Sequence, residues 1–307
     1  MWNHAARFLT AAALGAALLP AQIRHHHDFN LNVHDNDAQH CGDLRVDSDG
    51  EIAHSTEAFT MSRGEAPTLE ISALDRSNVH VLGGTQADYS VEVCKFAVAA
   101  DRATAENALR AITVQRSGGK LSTSNPQEDN SEWLTYFIVH APKDAPVDLE
   151  SRNGAIAIRD MEGQVKVHAT NGPVAVKNCT GHVEASTENG PIAFEGGGGD
   201  IHLRAQNGPI AVKVSGDLWN GNLLEAQTNN GPVSLKIPDT FRSGVRVETD
   251  GHSPLSCKAA ACANASQDLL SHPHVIQMNG SADTIRISTH NGPVAVGGGE
   301  GKLRKII

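Results

Sequence analysis

Imidazole and carboxylate side chains gather near the start of the chain, where His25, His26, His27 and Asp28 are followed by His34, Asp35, Asp37 and His40. Such a mixture is a donor set for Zn²⁺ or Cu²⁺. No helical or strand spacing pre-organises these ligands, so a polar lead-in is the plainer expectation and no metal or cofactor is assigned. A second group lies further on: Lys166, Glu184 and His202, with His168 and Arg204 beside them. On one sheet face these charged residues can bind a polysaccharide or cleave one. Glycosidase chemistry needs two carboxylates roughly 5–10 Å apart, and this column shows a single acid. Lys166 and Glu184 read instead as an ion-paired ladder, and no catalytic residue is assigned. The run Gly196-Gly197-Gly198-Gly199-Asp200 occurs once, without the register a calcium-binding β-roll repeats. No phosphate-cradling loop, dinucleotide fingerprint or nucleophile elbow is present.

The elements that position these residues follow from a repeat. Gly154, Gly163, Gly172, Gly181, Gly190, Gly199 and Gly208 are spaced by nine, and alternate ones fall in Asn-Gly pairs. The unit is therefore 18 residues, as in NGAIAIRDMEGQVKVHAT from Asn153 to Thr170. Each half is a turn plus about five alternating residues, the pattern of a half-buried strand. Identity recurs at 18 and not at nine, so equivalent strands are expected to stack in parallel. An antiparallel meander of Asn-Gly hairpins is the alternative. The fold class predicted is all-β: a parallel two-sheet β-solenoid with 18-residue coils, preceded by a mainly antiparallel β cap region. Asn-Gly suits turns that need positive φ, and stacked Asn side chains can bond from coil to coil. Pro173, Ala175, Pro191, Ala193, Pro209 and Ala211 would stack into a flat ribbon of small residues. That ribbon needs a cover, from the cap, the late insertion or another molecule, and is the candidate partner face.

Residues 1–21 read as a signal peptide, with Arg7 before the apolar run Phe8 to Leu19. That run is too short to span a bilayer, and no transmembrane anchor is expected. The reading is of an exported chain, periplasmic or extracellular, where thiols can pair. Of the five cysteines, Cys179 occupies an inward corner and is expected to stay free. Cys257 and Cys262 can close a small loop, which leaves Cys41 and Cys94 to staple the N-terminal region. The expected organisation is a polar His/Asp-rich lead-in at 22–60, a β cap region at 61–150 with a helix-like stretch from Ala99 to Leu109, and repeats at 151–307 with an insertion at 251–283. The formal charge of −10 argues against nucleic acid and anionic membranes as partners.

The succession TLEISALDRSNVHVLGG, FIVHAPKDAPVDLESRNGAIAI and the repeated G-x-V/I-x-V units resembles the bacterial "putative adhesin" family of β-strand-repeat proteins, as does the later SLKIPDTFRSGVRVETDGHSPL. The resemblance spans roughly residues 60 to 300 and implies a secreted or envelope-associated β-solenoid, a domain of unknown function. The expected function is an exported, non-enzymatic, adhesin-like binding or structural module of the cell envelope, its partner an envelope protein or a glycan. The competing readings are a carbohydrate-active β-helix enzyme, lyase or hydrolase, and a periplasmic envelope-stress sensor partner.

Overall fold

The computed structural model describes residues 29–35, 37–74, 76–124, 130–250, 253–270, 273–280 and 282–298. Residues 1–21, where a signal peptide is expected, and the cluster at His25 to Asp28 lie outside them. The described residues open with strands β1 (Leu31–His34), β2 (Arg45–Ser48) and β3 (Glu51–Met61). It continues through β4 (Leu69–Ala73), β5 (Ser77–Gly84), β6 (Tyr89–Ala99), helix α1 (Arg102–Ala111), β7 (Thr113–Ser117), β8 (Lys120–Ser124) and β9 (Ser131–Pro142). Short strands then alternate with turns: β10 (Val147–Ser151), β11 (Ile156–Arg159), β12 (Val165–Ala169), β13 (Val174–Lys177), β14 (His182–Thr187) and β15 (Ile192–Gly196). The pattern goes on with β16 (Gly198–Asn207), β17 (Ile210–Val214), β18 (Asn220–Asn230), β19 (Val233–Ile237) and β20 (Val245–Thr249). Strands β21 (Leu255–Cys257), β22 (Ser266–Asp268), β23 (His274–Met278), β24 (Ile285–Asn291) and β25 (Val294–Gly298) complete the described chain.

Strands β1 and β2 pair with each other as a separate antiparallel sheet, and the other strands form two large sheets. The first is ordered β21-β25-β19-β17-β15-β13-β11-β5-β9-β6-β3, the second β22-β23-β20-β24-β18-β16-β14-β12-β10-β4-β8-β7. Successive strands from β10 to β19 alternate between the sheets; through β17 each pairs in parallel with the strand one repeat later, whereas β18 and β19 pair in parallel with β24 and β25. Val174 faces Ile192 and Val183 faces Ile201, an offset of 18 residues. Inward positions meet in one apolar core: Ile156, Val174, Ile192 and Ile210 from the first sheet, Val165, Val183 and Ile201 from the second. Each such side chain contributes about 1.5–3 kcal/mol on burial. Of the five-residue insertion, the turn before β18 takes up four residues, the offset being 22 at Gly198 and Asn220. A register shift takes up the fifth, the offset being 23 at Asp200 and Leu223. Trp219, in the turn before β18, packs against Phe194 and donates to the Gly199 carbonyl at 3.2 Å.

The Asn-Gly corners are built for proximity. Positive φ is found instead at Asp160 and Asn178, in the other turn of the unit. A Cβ on Gly172 would lie 2.0 Å from the Gly154 carbonyl oxygen, and one on Gly190 would lie 2.2 Å from that of Gly172. Glycine is required there because backbone passes over backbone. Beside this column the asparagines form a ladder: Asn171 donates to Asn153, Asn189 to Asn171 and Asn207 to Asn189, each at 3.0 Å. The ladder continues through Asn230 and Asn291. Each proline carbonyl accepts the amide that opens the neighbouring strand, as in Val174 to Pro191 at 2.9 Å.

Parallel pairing reaches back past residue 151. Strand β4 pairs with β10, and β5 with β11, so the residues Leu69–Gly84 already lie in the stack. The region expected as a mainly antiparallel cap is mixed: β3, β6 and β9 are antiparallel, whereas β5–β9 and β4–β8 are parallel. The lead-in is not wholly extended polar chain either, since β3 is the edge strand of the first sheet. Helix α1 starts at Arg102, where Asp101 caps the Thr104 amide, and packs against β3, β6 and β9. The insertion at 251–283 extends both sheets, and its Ala-rich run is a short 3₁₀ turn, Ala260–Asn264. Disulfides join Cys41 to Cys94 and Cys257 to Cys262.

Two outcomes follow from this packing. Gly190→Ala is expected to cost about 3 kcal/mol by overpacking, against about 1 kcal/mol for Asn189→Ala, which loses hydrogen bonds only. Chemical denaturation distinguishes them, and equal losses would refute the close-approach account. Cys179 is buried, and desolvation pushes its thiol up to about 11. It should resist a maleimide at pH 8 in the folded chain and react once guanidinium unfolds it; prompt labelling of the native chain would show the corner to be open.

Candidate functional site

The parallel register turns residues one repeat apart into lines on the outer face of the second sheet. One line runs Lys166, Glu184, His202, Glu225 and Arg286; a second runs His168, Ser186, Arg204, Gln227 and Ser288. Because alternate residues share a face, His182 and Asp200, which are also register partners, join the first line at its side. All five candidate glycan-face residues, Lys166, His168, Glu184, His202 and Arg204, thus stand on one surface. Two grooves open there. One, of about 470 Å³, is lined by His168, Ser186, Glu188, Arg204, Gln227 and Asn229. The other, of about 270 Å³, is lined by Lys166, His168, Glu184, Ser186, His202 and Arg204.

The polar contacts differ from the expected Lys166–Glu184 ladder. Lys166 approaches Asp148 at 3.6 Å, and Glu184 approaches His182 Nε2 at 3.3 Å. Nor is Glu184 the only acid. His182 Nδ1 meets Asp200 at 2.9 Å, His202 Nε2 meets Asp200 at 3.3 Å, and His202 Nδ1 meets Glu225 at 3.4 Å. Glu225 is shared with Arg204 at 3.2 Å. The two rings stand 5.7 Å apart. The hydrogen bond to Asp200, then that to Glu184, raises the His182 pKa above its ordinary value. His182, Asp200 and Glu225 were missed in the sequence reading. His182 and Asp200 carry the 18-residue signal, but Glu225 is displaced to 23 residues after His202 by the insertion.

The Pro/Ala ribbon lies on the outer face of the first sheet. Pro173, Ala175, Pro191, Ala193, Pro209 and Ala211 are all half-buried. At the β5, β6 and β9 end this face is covered by the lead-in: Leu31, Val33, Leu44 and Val46 pack against Leu82, Phe96, Tyr136 and Ile138. The described members of the N-terminal His/Asp cluster tie this segment down. Asp35 accepts from Tyr136, Asp37 pairs with Arg159, His34 meets Asp47 at 3.0 Å, and His40 Nδ1 meets Glu92 at 2.7 Å. Among the described residues no helix is long and apolar enough to cross a membrane.

No family model matches the chain, and no curated protein matches it. Among solved structures it is similar to a putative adhesin from Bacteroides fragilis NCTC 9343, at 12% identity and TM-score 0.39, over 80% of this chain and 97% of that one. A putative cell adhesion protein from Clostridium sporogenes ATCC 15579 matches at 9% identity and TM-score 0.33, covering 80% and 100% respectively. A putative lipid binding protein from Parabacteroides distasonis ATCC 8503 matches at 11% identity and TM-score 0.31, covering 81% and 95%. Their descriptions include the adhesin family that the sequence resembles. Similarity at this level assigns no ligand or activity to the chain.

The lead-in contact has a measurable sign. Hydrogen bonding and attraction from Glu92 raise the His40 pKa above its ordinary 6.5. A folded value above the unfolded one means that this contact stabilises fully below about pH 6.5 and fades as pH rises through the raised value. Glu92→Gln should move the His40 midpoint, followed by NMR, back toward 6.5. An unmoved midpoint would show that the pair does not form in solution.

Proposed function

We propose that this chain is an exported, non-enzymatic β-solenoid, an adhesin-like binding module of the cell envelope whose second-sheet outer face takes a glycan. The 18-residue parallel registers support the solenoid, and the two disulfides support an oxidising compartment outside the cytoplasm, periplasmic or extracellular. The glycan reading rests on one observation: the line His168, Ser186, Arg204 and Gln227 lies along the lining of the larger groove. These side chains offer donors and acceptors at the strand spacing of roughly 4.8 Å. Saccharide hydroxyls both donate and accept, so they can satisfy such a line where a purely anionic or apolar ligand would leave part of it unpaired. A flat row at sheet spacing also suits an extended ligand better than a compact one.

The carboxylates nearby do not form the free pair that glycoside cleavage uses, since Glu184, Asp200 and Glu225 are each in contact with an imidazole. Binding without turnover is the reading that this arrangement supports. Screening the chain against an array of envelope and capsular polysaccharides, followed by calorimetry, tests it. Arg204→Ala and His168→Ala should each weaken glycan binding about tenfold, the loss of one or two hydrogen bonds. Ala193→Asp, on the opposite sheet, should leave it unchanged. Loss with Ala193→Asp alone would move the binding face to the ribbon, and appearance of cleaved product would overturn the non-enzymatic reading.

A further inference from the structure

Asp200 is approached by imidazole at both of its oxygens. His182 Nδ1 stands 2.9 Å from Oδ2, and His202 Nε2 stands 3.3 Å from Oδ1. Behind each ring another carboxylate takes the remaining nitrogen. Glu184 lies 3.3 Å from His182 Nε2, and Glu225 lies 3.4 Å from His202 Nδ1. The same order of groups surrounds protein-bound transition metals, where a ligating histidine donates its distal N–H to an outer carboxylate that fixes ring orientation and tautomer. We propose that His182, Asp200 and His202 form a binding site for a late first-row divalent cation such as Zn²⁺, with Glu184 and Glu225 as the outer carboxylates.

The backbone places the ligands before any cation arrives. His182 and Asp200 are register partners on β14 and β16, as are Glu184 and His202. Four positions at the corners of one patch of parallel sheet therefore alternate imidazole and carboxylate. The ligand atoms of His182, Asp200 and His202 all lie within 4.8 Å of one another. Bonds of about 2.0–2.1 Å in a tetrahedral site hold neighbouring ligand atoms roughly 3.3 Å apart, so closure asks for side-chain movements of up to about 1.5 Å.

Charge and donor type select the ion. Glu184, Asp200 and Glu225 outweigh Arg204, the guanidinium that contacts Glu225, so the patch is anionic toward a divalent ion. Two imidazoles with one carboxylate favour Zn²⁺, Cu²⁺ or Ni²⁺ over Ca²⁺ or Mg²⁺, which prefer oxygen alone. The side chains of His182, Asp200 and His202 remain 39%, 31% and 21% exposed. Three protein ligands at an open surface leave room for water or a ligand atom in the next position. The inference does not rest on the glycan reading, whose groove is lined by none of His182, Asp200 and His202, although His202 and Glu184 line the smaller groove beside it.

The test uses the full chain with H25A/H26A/H27A throughout, which removes the N-terminal imidazoles as competing ligands. After chelator treatment, Zn²⁺ is titrated by calorimetry at pH 7.5. One high-affinity Zn²⁺ per chain is expected. His182→Gln, Asp200→Ala and His202→Gln should each lower affinity at least tenfold, and Glu184→Gln about tenfold. All are outward-facing, and circular dichroism checks their folding. In the chain that keeps the cluster intact, one equivalent of Zn²⁺ should shift the imidazole ¹⁵N resonances of His182 and His202. Unmoved resonances, or equal Zn²⁺ affinity in the cluster variants and the parent, would overturn the site.

Discussion

The architecture depends on the passage of one backbone turn directly over the next. At the Asn-Gly corners a carbonyl oxygen sits where a Cβ would have to go, about 2 Å away at Gly172, Gly190 and Gly208. No side chain fits, so the glycine column is a steric condition on the stack. Once it is met, the neighbouring asparagines come within hydrogen-bond reach and satisfy one another along the outer edge. Buried hydroxyls complete the corner from inside, with Thr228 and Thr289 donating to the carbonyls of Gly208 and Gly231. Polar groups that the tight turn would otherwise strand are thereby paired.

That spacing propagates outward as register. With every strand held opposite its counterpart one repeat away, a residue type that recurs in sequence becomes a line in space. Val, Ile and Leu lines face inward and interlock between the sheets. Outward lines acquire different characters on the two sheets: small and flat along Ala175, Ala193 and Ala211, ionic along Lys166, Glu184 and His202. The imidazole–carboxylate patch is a product of the same rule. Single charged side chains with little meaning alone become neighbours because the ladder sets them side by side.

The legible parts were those written periodically. Val174, Ile192 and Ile210 face inward, and the asparagines bond to one another at the spacing that their recurrence implies. Positive φ was placed in the wrong turn, because Asn-Gly serves both a left-handed conformation and a close backbone contact, and the dipeptide does not distinguish them. The start of the stack was also hidden. Leu69–Gly84 join the parallel ladders although some sixty residues separate them from β10, and the long excursion through β6, α1 and β9 erases the period. Asp200 was read as the end of a glycine run, and Glu225 fell out of step behind the insertion at Trp219.

By itself the sequence determined the 18-residue period, the strand pattern, the inward residues and the two lines of opposite character. Each is a local or periodic property, set by alternation, turn chemistry and steric limits that act within one or two repeats. Only the tertiary structure decided where the ladder begins, that the lead-in lies over β5, β6 and β9, and that His182, Asp200, His202 and Glu225 share one patch. Those facts depend on which distant segments pair and on how an insertion is absorbed. The core packing of the whole chain selects them, and no window of residues contains that information.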